Sequence, residues 1–271
     1  MKTKDNQILA LLNIWEPIET IIESTVNLAE TFEASVNFFY VKKKMDLFRT
    51  ENQMAVIRTS IEEEKAVEKL KNIVSRTQRR TPVKLRYTIA SGNVKKTIKS
   101  EIKSSEPDLI VLGKRAPNMY RFIGNQITEV VLKNFQGPVL IAHPSSVLEI
   151  KENLSVGVLN NLKTVTENEV ASTVMQQSRK PLKLFKIEDT FDPAQDIASS
   201  SAKTIDYTFE NNENALKSLT SYVHKNNVNL LCFEREEKQR SRNQVKSSEV
   251  LKLIDTSMLM VGSNNTNLMN A

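Results

Sequence analysis

Short apolar runs alternate with amphipathic stretches along the whole chain. Gln7 to Asn13, apolar from Ile8 to Leu12, reads as a buried strand. Pro17 then opens a helix whose inner face is Ile18, Ile21, Ile22, Val26, Leu28 and Ala29. Val36 to Val41 is a second strand. The spacing of Ile57, Ile61, Val67, Leu70, Ile73 and Val74 predicts a long helix over Met54 to Arg79, with Glu62, Glu63 and Glu64 on its wet side. Val83 to Ala90 is a third strand, and Ser91-Gly92-Asn93 turns into a helix through Val94, Ile98 and Ile102. Asp108 to Gly113 is the fourth strand. A loop to about Asn125, a helix to Phe135 and a fifth strand over Pro138 to Ala142 complete the series.

The second half repeats the first. Ile8 to Asn13 matches Ser155 to Asn160 at a shift of 147, which also carries Phe38 onto Phe185 and Tyr40 onto Ile187. Ile98, Ile102, Leu109, Ile110 and Val111 match Leu219, Val223, Leu230, Leu231 and Cys232 at a shift of 121. The second copy is therefore shorter in its middle. Its strands are Ser155 to Asn160, Leu182 to Ile187, Thr204 to Phe209, Val228 to Phe233 and Met258 to Val261. Glu188 to Lys203, with Asp192-Pro193 and Ser199-Ser200-Ser201, reads as mostly loop.

Strands alternating with helices demand parallel pairing and right-handed crossovers. Strands that are apolar throughout, such as Leu109 to Leu112, are buried on both faces. The fold class expected is α/β: two tandem open parallel five-stranded sheets with helices on both faces, of Rossmann-like type. The domains expected are 1–144 and 153–262, linked by a segment that starts with Pro144-Ser145-Ser146. Val139-Leu140-Ile141 and Met258-Leu259-Met260 would be open apolar edges, so they are expected to pair with each other.

Composition narrows the function. No apolar run among the 271 residues reaches membrane-span length, and the N-terminus lacks a signal-peptide core. With a single cysteine, Cys232, the expected location is the cytoplasm. The net charge of +6 is uneven: +7 over residues 1–144 and −1 over 145–271. Basic positions are not interleaved with aromatics, which argues against nucleic acid as a partner. The two histidines, His143 and His224, have no Cys, His or carboxylate at metal-ligand spacing, and no metal site is expected. Asp189, Asp192 and Asp196 in a Ser-rich loop read as solvated. Cys232 reads as a buried hydrophobe, and Trp15 as a filler at the lip of the first sheet.

Asp108-Leu109-Ile110-Val111-Leu112-Gly113, then Thr128-Glu129-Val130-Val131-Leu132 and Gly137-Pro138-Val139-Leu140-Ile141-Ala142, resembles the universal stress protein family in its tandem form. The resemblance implies the five-stranded fold already read. It also implies either ATP binding, as in many members, or a signalling or protective module without nucleotide. The family's nucleotide motif is a Gly, two residues, a Gly, nine residues, then Gly and Ser or Thr. Such glycines let backbone N–H groups close on phosphates. Gly113 matches the first. Ala116 replaces the second and is followed by Pro117, which removes an N–H. Asn125 and Gln126 stand where Gly and Ser belong, in a loop one residue short; taking Gly124 instead leaves it two short. Asn13 stands where the family's first strand ends in Asp, Val41 matches a valine near the base, and Gly92 matches the turn after the third strand. In the second copy Asn160 again replaces the Asp, and the fourth strand runs into Glu234-Arg235-Glu236-Glu237-Lys238.

The candidate nucleotide or anion site is thus Asn13, Val41, Gly92, Gly113, Lys114, Arg115, Gly124 and Asn125. Lys114, Arg115 and Arg121 offer cations to a small anion without a glycine cradle. No base, Walker-type lysine or magnesium-binding hydroxyl accompanies them, so no enzyme and no catalytic residue is expected. The functional expectation is a non-catalytic stress-response module acting on an unidentified protein partner, without a cofactor and with further homodimerisation. The alternative is a nucleotide or small-anion sensor, with ATP or AMP in the first domain.

Overall fold

In a computed structural model, residues 6–43, 53–114, 124–151, 153–189, 204–235 and 246–262 are described. The chain divides into two units. The first holds residues 1–137 and 144–147, the second 138–143 and 148–271.

The first unit runs β1 (Gln7–Leu11), α1 (Ile18–Phe32), β2 (Ser35–Lys43), α2 (Gln53–Gln78), β3 (Leu85–Gly92), α3 (Val94–Ser105), β4 (Leu109–Gly113) and α4 (Gly124–Asn134). Its strands are parallel in the order β3-β2-β1-β4. Alternation along β2 sends Tyr40 to α2, where its hydroxyl donates to Glu63 Oε1, and sends Asn37 to α3, where its amide donates to Glu101. Each helix covers one face, which is why Val36, Phe38 and Phe39 are all buried.

The second unit holds β5 (Val139–Ala142), β6 (Val156–Leu159), α5 (Leu162–Glu167), α6 (Glu169–Gln177), β7 (Leu182–Glu188), β8 (Thr204–Glu210), α7 (Ala215–Lys225), β9 (Leu230–Glu234), α8 (Ser247–Leu253) and β10 (Ser257–Val261). Strands β10-β9-β6-β7-β8 form a five-stranded parallel sheet. The edge pairing expected from the sequence is present: β5 joins β10 antiparallel, with Ile141 opposite Met258, Leu140 opposite Leu259 and Val139 opposite Met260. The architecture is α/β and Rossmann-like, as expected.

The ladders correct the repeat register. Ile8 pairs with Leu109, and Val156 with Leu230. With the 121 shift kept for the fourth strands, the counterpart of Ile8 is Val156, not Ser155. Leu11 pairs with Phe39 and Leu159 with Phe185, so Phe185 corresponds to Phe39 rather than Phe38, and Lys186 to Tyr40. Strands buried on both faces read alike in either register, and a one-residue slip exchanges the faces.

The corrected register shows how the two copies differ on the face that α2 covers in the first. Residues 44–84 join β2 to β3, whereas only 189–203 join β7 to β8. The expected loop over 188–203 lies almost wholly outside the described residues. The face that α2 covers in the first unit is polar in the second: Lys186, in the place of Tyr40, pairs with Asp206 at 3.1 Å. The opposite face, under α7, is aromatic. Phe185, Tyr207, Phe209 and Tyr222 interlock with ring centroids 5.3–6.4 Å apart. Beside them, a Cβ on Gly157 would stand 2.7 Å from the Phe185 ring and 3.2 Å from both Leu231 and Val228. Overpacking costs about 1–3 kcal/mol, against about 0.4–1 kcal/mol gained by removing a glycine from the unfolded chain. Gly157→Ala is therefore expected to destabilise by about 1–2 kcal/mol in urea denaturation, and a stabilised variant would contradict this packing.

Candidate functional site

Ligands of open α/β sheets lie beyond the carboxyl ends of the strands, where the strand order reverses. In the first unit that point falls between β1 and β4. The chain leaves β1 through Leu12, whose N–H still donates to Phe39 O. Asn13 then folds the next three residues around itself. Its Oδ1 accepts from Trp15 N at 3.3 Å, its carbonyl accepts from Glu16 N at 3.0 Å, and its amide donates to Glu16 Oε1 at 2.8 Å. Pro17 follows and α1 begins. The turn carries the Glu16 carboxylate across the mouth of the sheet. Its Oε2 lies 3.4 Å from where a Cβ on Gly113 would stand. That same Cβ would overlap Ile21 Cδ1, so close packing of α1 on β4 is sufficient reason for glycine at 113.

The other expected residues sort themselves around this pair. Val41 is buried near the end of β2, opposite Ala90. Gly92 has φ 150°, and a Cβ there would meet Thr97 Oγ1 at 3.2 Å; the residue turns β3 into α3, where Asn93 Oδ1 accepts from Lys96 N. Lys114 follows Gly113 and is half-buried. Gly124 and Asn125 begin α4. Arg115, Ala116, Pro117 and Arg121 lie outside the described residues. The structure thus brings Asn13 and Gly113 together, and it does so through Glu16, which the sequence reading missed. The signal was present: Asn-x-x-Glu ahead of a proline-led helix is a helix-entry pattern in which the two side chains can meet. Trp15 is not the filler expected, being 46% exposed.

The second unit reaches a similar arrangement by another route. Asn161, the register counterpart of Asn13, caps α5 by accepting from Thr164 N and donates its amide to Glu234 Oε2 at 2.8 Å. Glu234 ends β9 in the place of Gly113 and is buried. Asn160, expected as the Asp replacement, instead sits at φ 60° and accepts from Ile187 N. Burial pushes the neighbouring Arg235 guanidinium down from its usual range. Glu236, Glu237 and Lys238 lie outside the described residues.

Among the described residues, nothing at either mouth forms a nucleophile–base pair. Cys232 is fully buried in β9, where desolvation pushes its thiol up to about 12. His143 Nε2 stands 3.3 Å from Asp255 Oδ1, beyond the end of β5, while His224 is exposed on α7. Among the described residues no three His, Cys, Asp or Glu side chains are grouped to hold a metal, and no helix is long and apolar enough to cross a membrane. Asp192 and Asp196 lie outside those residues.

Parallel strands alternating with helices on both faces of the sheet define a Rossmann-like α/β domain. Residues 18–143 match the universal stress protein family, and this part of the chain belongs to it. Over the whole chain the fold is similar to a universal stress protein from Archaeoglobus fulgidus DSM 4304, at 14% identity and TM-score 0.68, covering 96% of this chain and 100% of that one. It is also similar to a functionally unknown protein from Pseudomonas aeruginosa PAO1, at 10% identity and TM-score 0.62, covering 96% of this chain and 93% of that one. No curated protein matches the sequence significantly.

Proposed function

We propose that the protein is a non-catalytic, cytoplasmic stress-response module that acts through contacts with another protein and binds no nucleotide tightly. The observation that carries this reading is the pair of carboxylates, Glu16 and Glu234, each held by an asparagine at the mouth where phosphates would lie. Two like charges about 4 Å apart repel by about 4 kcal/mol at the effective dielectric of a protein surface. The Ala116-Pro117 and Asn125-Gln126 replacements remove phosphate donors as well, each worth roughly 1.5–3 kcal/mol. Against these stand Lys114 and Arg115, the basis of the alternative reading as a nucleotide or small-anion sensor.

The half of the reading that concerns protein contacts is supported by α2. Met54, Ile57 and Ile61 recur at helical spacing, all large, apolar and exposed. Isothermal titration with ATP and magnesium tests the nucleotide half. The expected result is no micromolar binding, with no nucleotide found by mass spectrometry of the purified protein. Saturable micromolar binding would replace this reading with the sensor.

A further inference from the structure

We propose that Glu16 is the anion-excluding residue of the first unit: its carboxylate, clamped by Asn13 against the end of β4, takes the place of a phosphate. This inference rests on the reading above and assigns its cause to one side chain. Three observations support it. The carboxylate is held in place, since Asn13 donates to one oxygen and Pro17 stiffens the step into α1. The carboxylate lies beside the end of β4, with Glu16 Oε2 in ordinary contact distance, 3.4 Å, of where a Cβ on Gly113 would stand. In the second unit the carboxylate comes from a different position, the strand end itself, yet it is again held by the asparagine that follows the central strand. The two copies share an asparagine–carboxylate pair while supplying the acid from unrelated places. Closing a turn explains the Asn13–Glu16 bond in the first copy, but it does not explain an acid at the same mouth in the second.

The location also favours a resident acid. Glu16 lies just ahead of the α1 N-terminus, where the helix dipole stabilises negative charge. That field would otherwise serve a bound phosphate. Neutralising Glu16 should therefore open a place for an anion just ahead of α1, whose first turn keeps only the Glu19 carboxylate, already paired with Lys69.

The test is Glu16→Gln, which keeps an oxygen to accept from Asn13 and removes the charge. Glu33→Gln serves as control, because it changes the net charge equally from an exposed site at the far end of α1. Each protein is titrated with inorganic phosphate and with AMP, following the amide signals of Asn13 and Gly113 by NMR. Expected are saturable shifts in Glu16→Gln at roughly tenfold lower ligand concentration than in the wild type, with Glu33→Gln unchanged. Glu16→Ala, which drops both charge and bond, takes its place if the first variant loses signal dispersion. Equal affinity in wild type and both Glu16 variants overturns the proposal, as does an equal gain in Glu33→Gln. Micromolar ATP binding by the wild type would instead sink the reading it rests on, so the two failures are distinguishable.

Discussion

Leu140→Asp is expected to unfold the second unit. Leu140 is buried in the middle of β5, directly opposite Leu259 of β10. Removing a leucine from such a site costs about 2–5 kcal/mol. Burying an unpaired carboxylate among Leu259, Met258 and Met260 adds a penalty of several kcal/mol more. The sum rivals the roughly 5–15 kcal/mol that holds a whole domain. Failure of β5 to pair would also expose the apolar edge Met258–Met260, so aggregation should accompany unfolding. Amide signals of β6 to β9 are expected to lose their dispersion and light scattering to rise. Leu140→Met, which conserves volume, should cost less than about 1.5 kcal/mol. A soluble Leu140→Asp protein with native spectra would mean that this strand pair does not hold the unit together.

That pairing was legible because it follows from a general need: two apolar edges in one chain have to be covered. The strands were legible for a similar reason, since short apolar runs such as Leu109 to Leu112, closed by Gly113 and alternating with amphipathic stretches, suit strands buried on both faces. The same property hid the register. Phe38 and Phe39 are both buried, so hydrophobicity could not say which of them Phe185 repeats; only the ladder did. Once it did, Lys186 became intelligible as the polar replacement for Tyr40 on the face that α2 covers in the first unit. At the site, Asn13, Val41, Gly92 and Gly113 could be placed at strand ends by the apolar runs and the family resemblance. Glu16 could not, because its role comes from a turn that swings a side chain onto a strand distant in sequence. Nor could Glu234 be seen as the partner of Asn161 while the register was one residue off. The basic residues that suggested an anion site in the first unit, and the acids after the fourth strand of the second, were visible in the sequence, but the acid at the first mouth, Glu16, required three dimensions.

Alkaline pH is expected to weaken both units, each through a different buried group. In the second unit, desolvation raises the Cys232 thiol from 9.0 to about 12. The unfolded chain therefore releases this proton first, and the folded state holds more protons than the unfolded one above pH 9. The stability Cys232 contributes is complete below pH 9 and is lost as pH rises toward 12, at about 1.4 kcal/mol per pH unit. By pH 11 that amounts to about 3 kcal/mol. In the first unit, Tyr40 acts in the same direction from pH 10 upward. Burial first, then its hydrogen bond to Glu63 and that carboxylate's charge, raise its phenol above the usual range. Lys183 works the other way. Its ammonium is buried against Ser155 Oγ, and burial, then the nearby Lys180, lowers its pKa, so its contribution grows with pH up to 10.5 and partly offsets the loss in the second unit. Cys232→Ala separates these effects, costing about 1 kcal/mol at neutral pH for the small cavity while removing the thiol's alkaline slope. Urea denaturation at pH 7, 9, 10 and 11 should show the wild type falling relative to the variant by about 3 kcal/mol over that range. Parallel curves would mean that the thiol is not desolvated in the fold. In that case it should also react readily with maleimide in the native protein, whereas a thiol buried as described reacts only on unfolding.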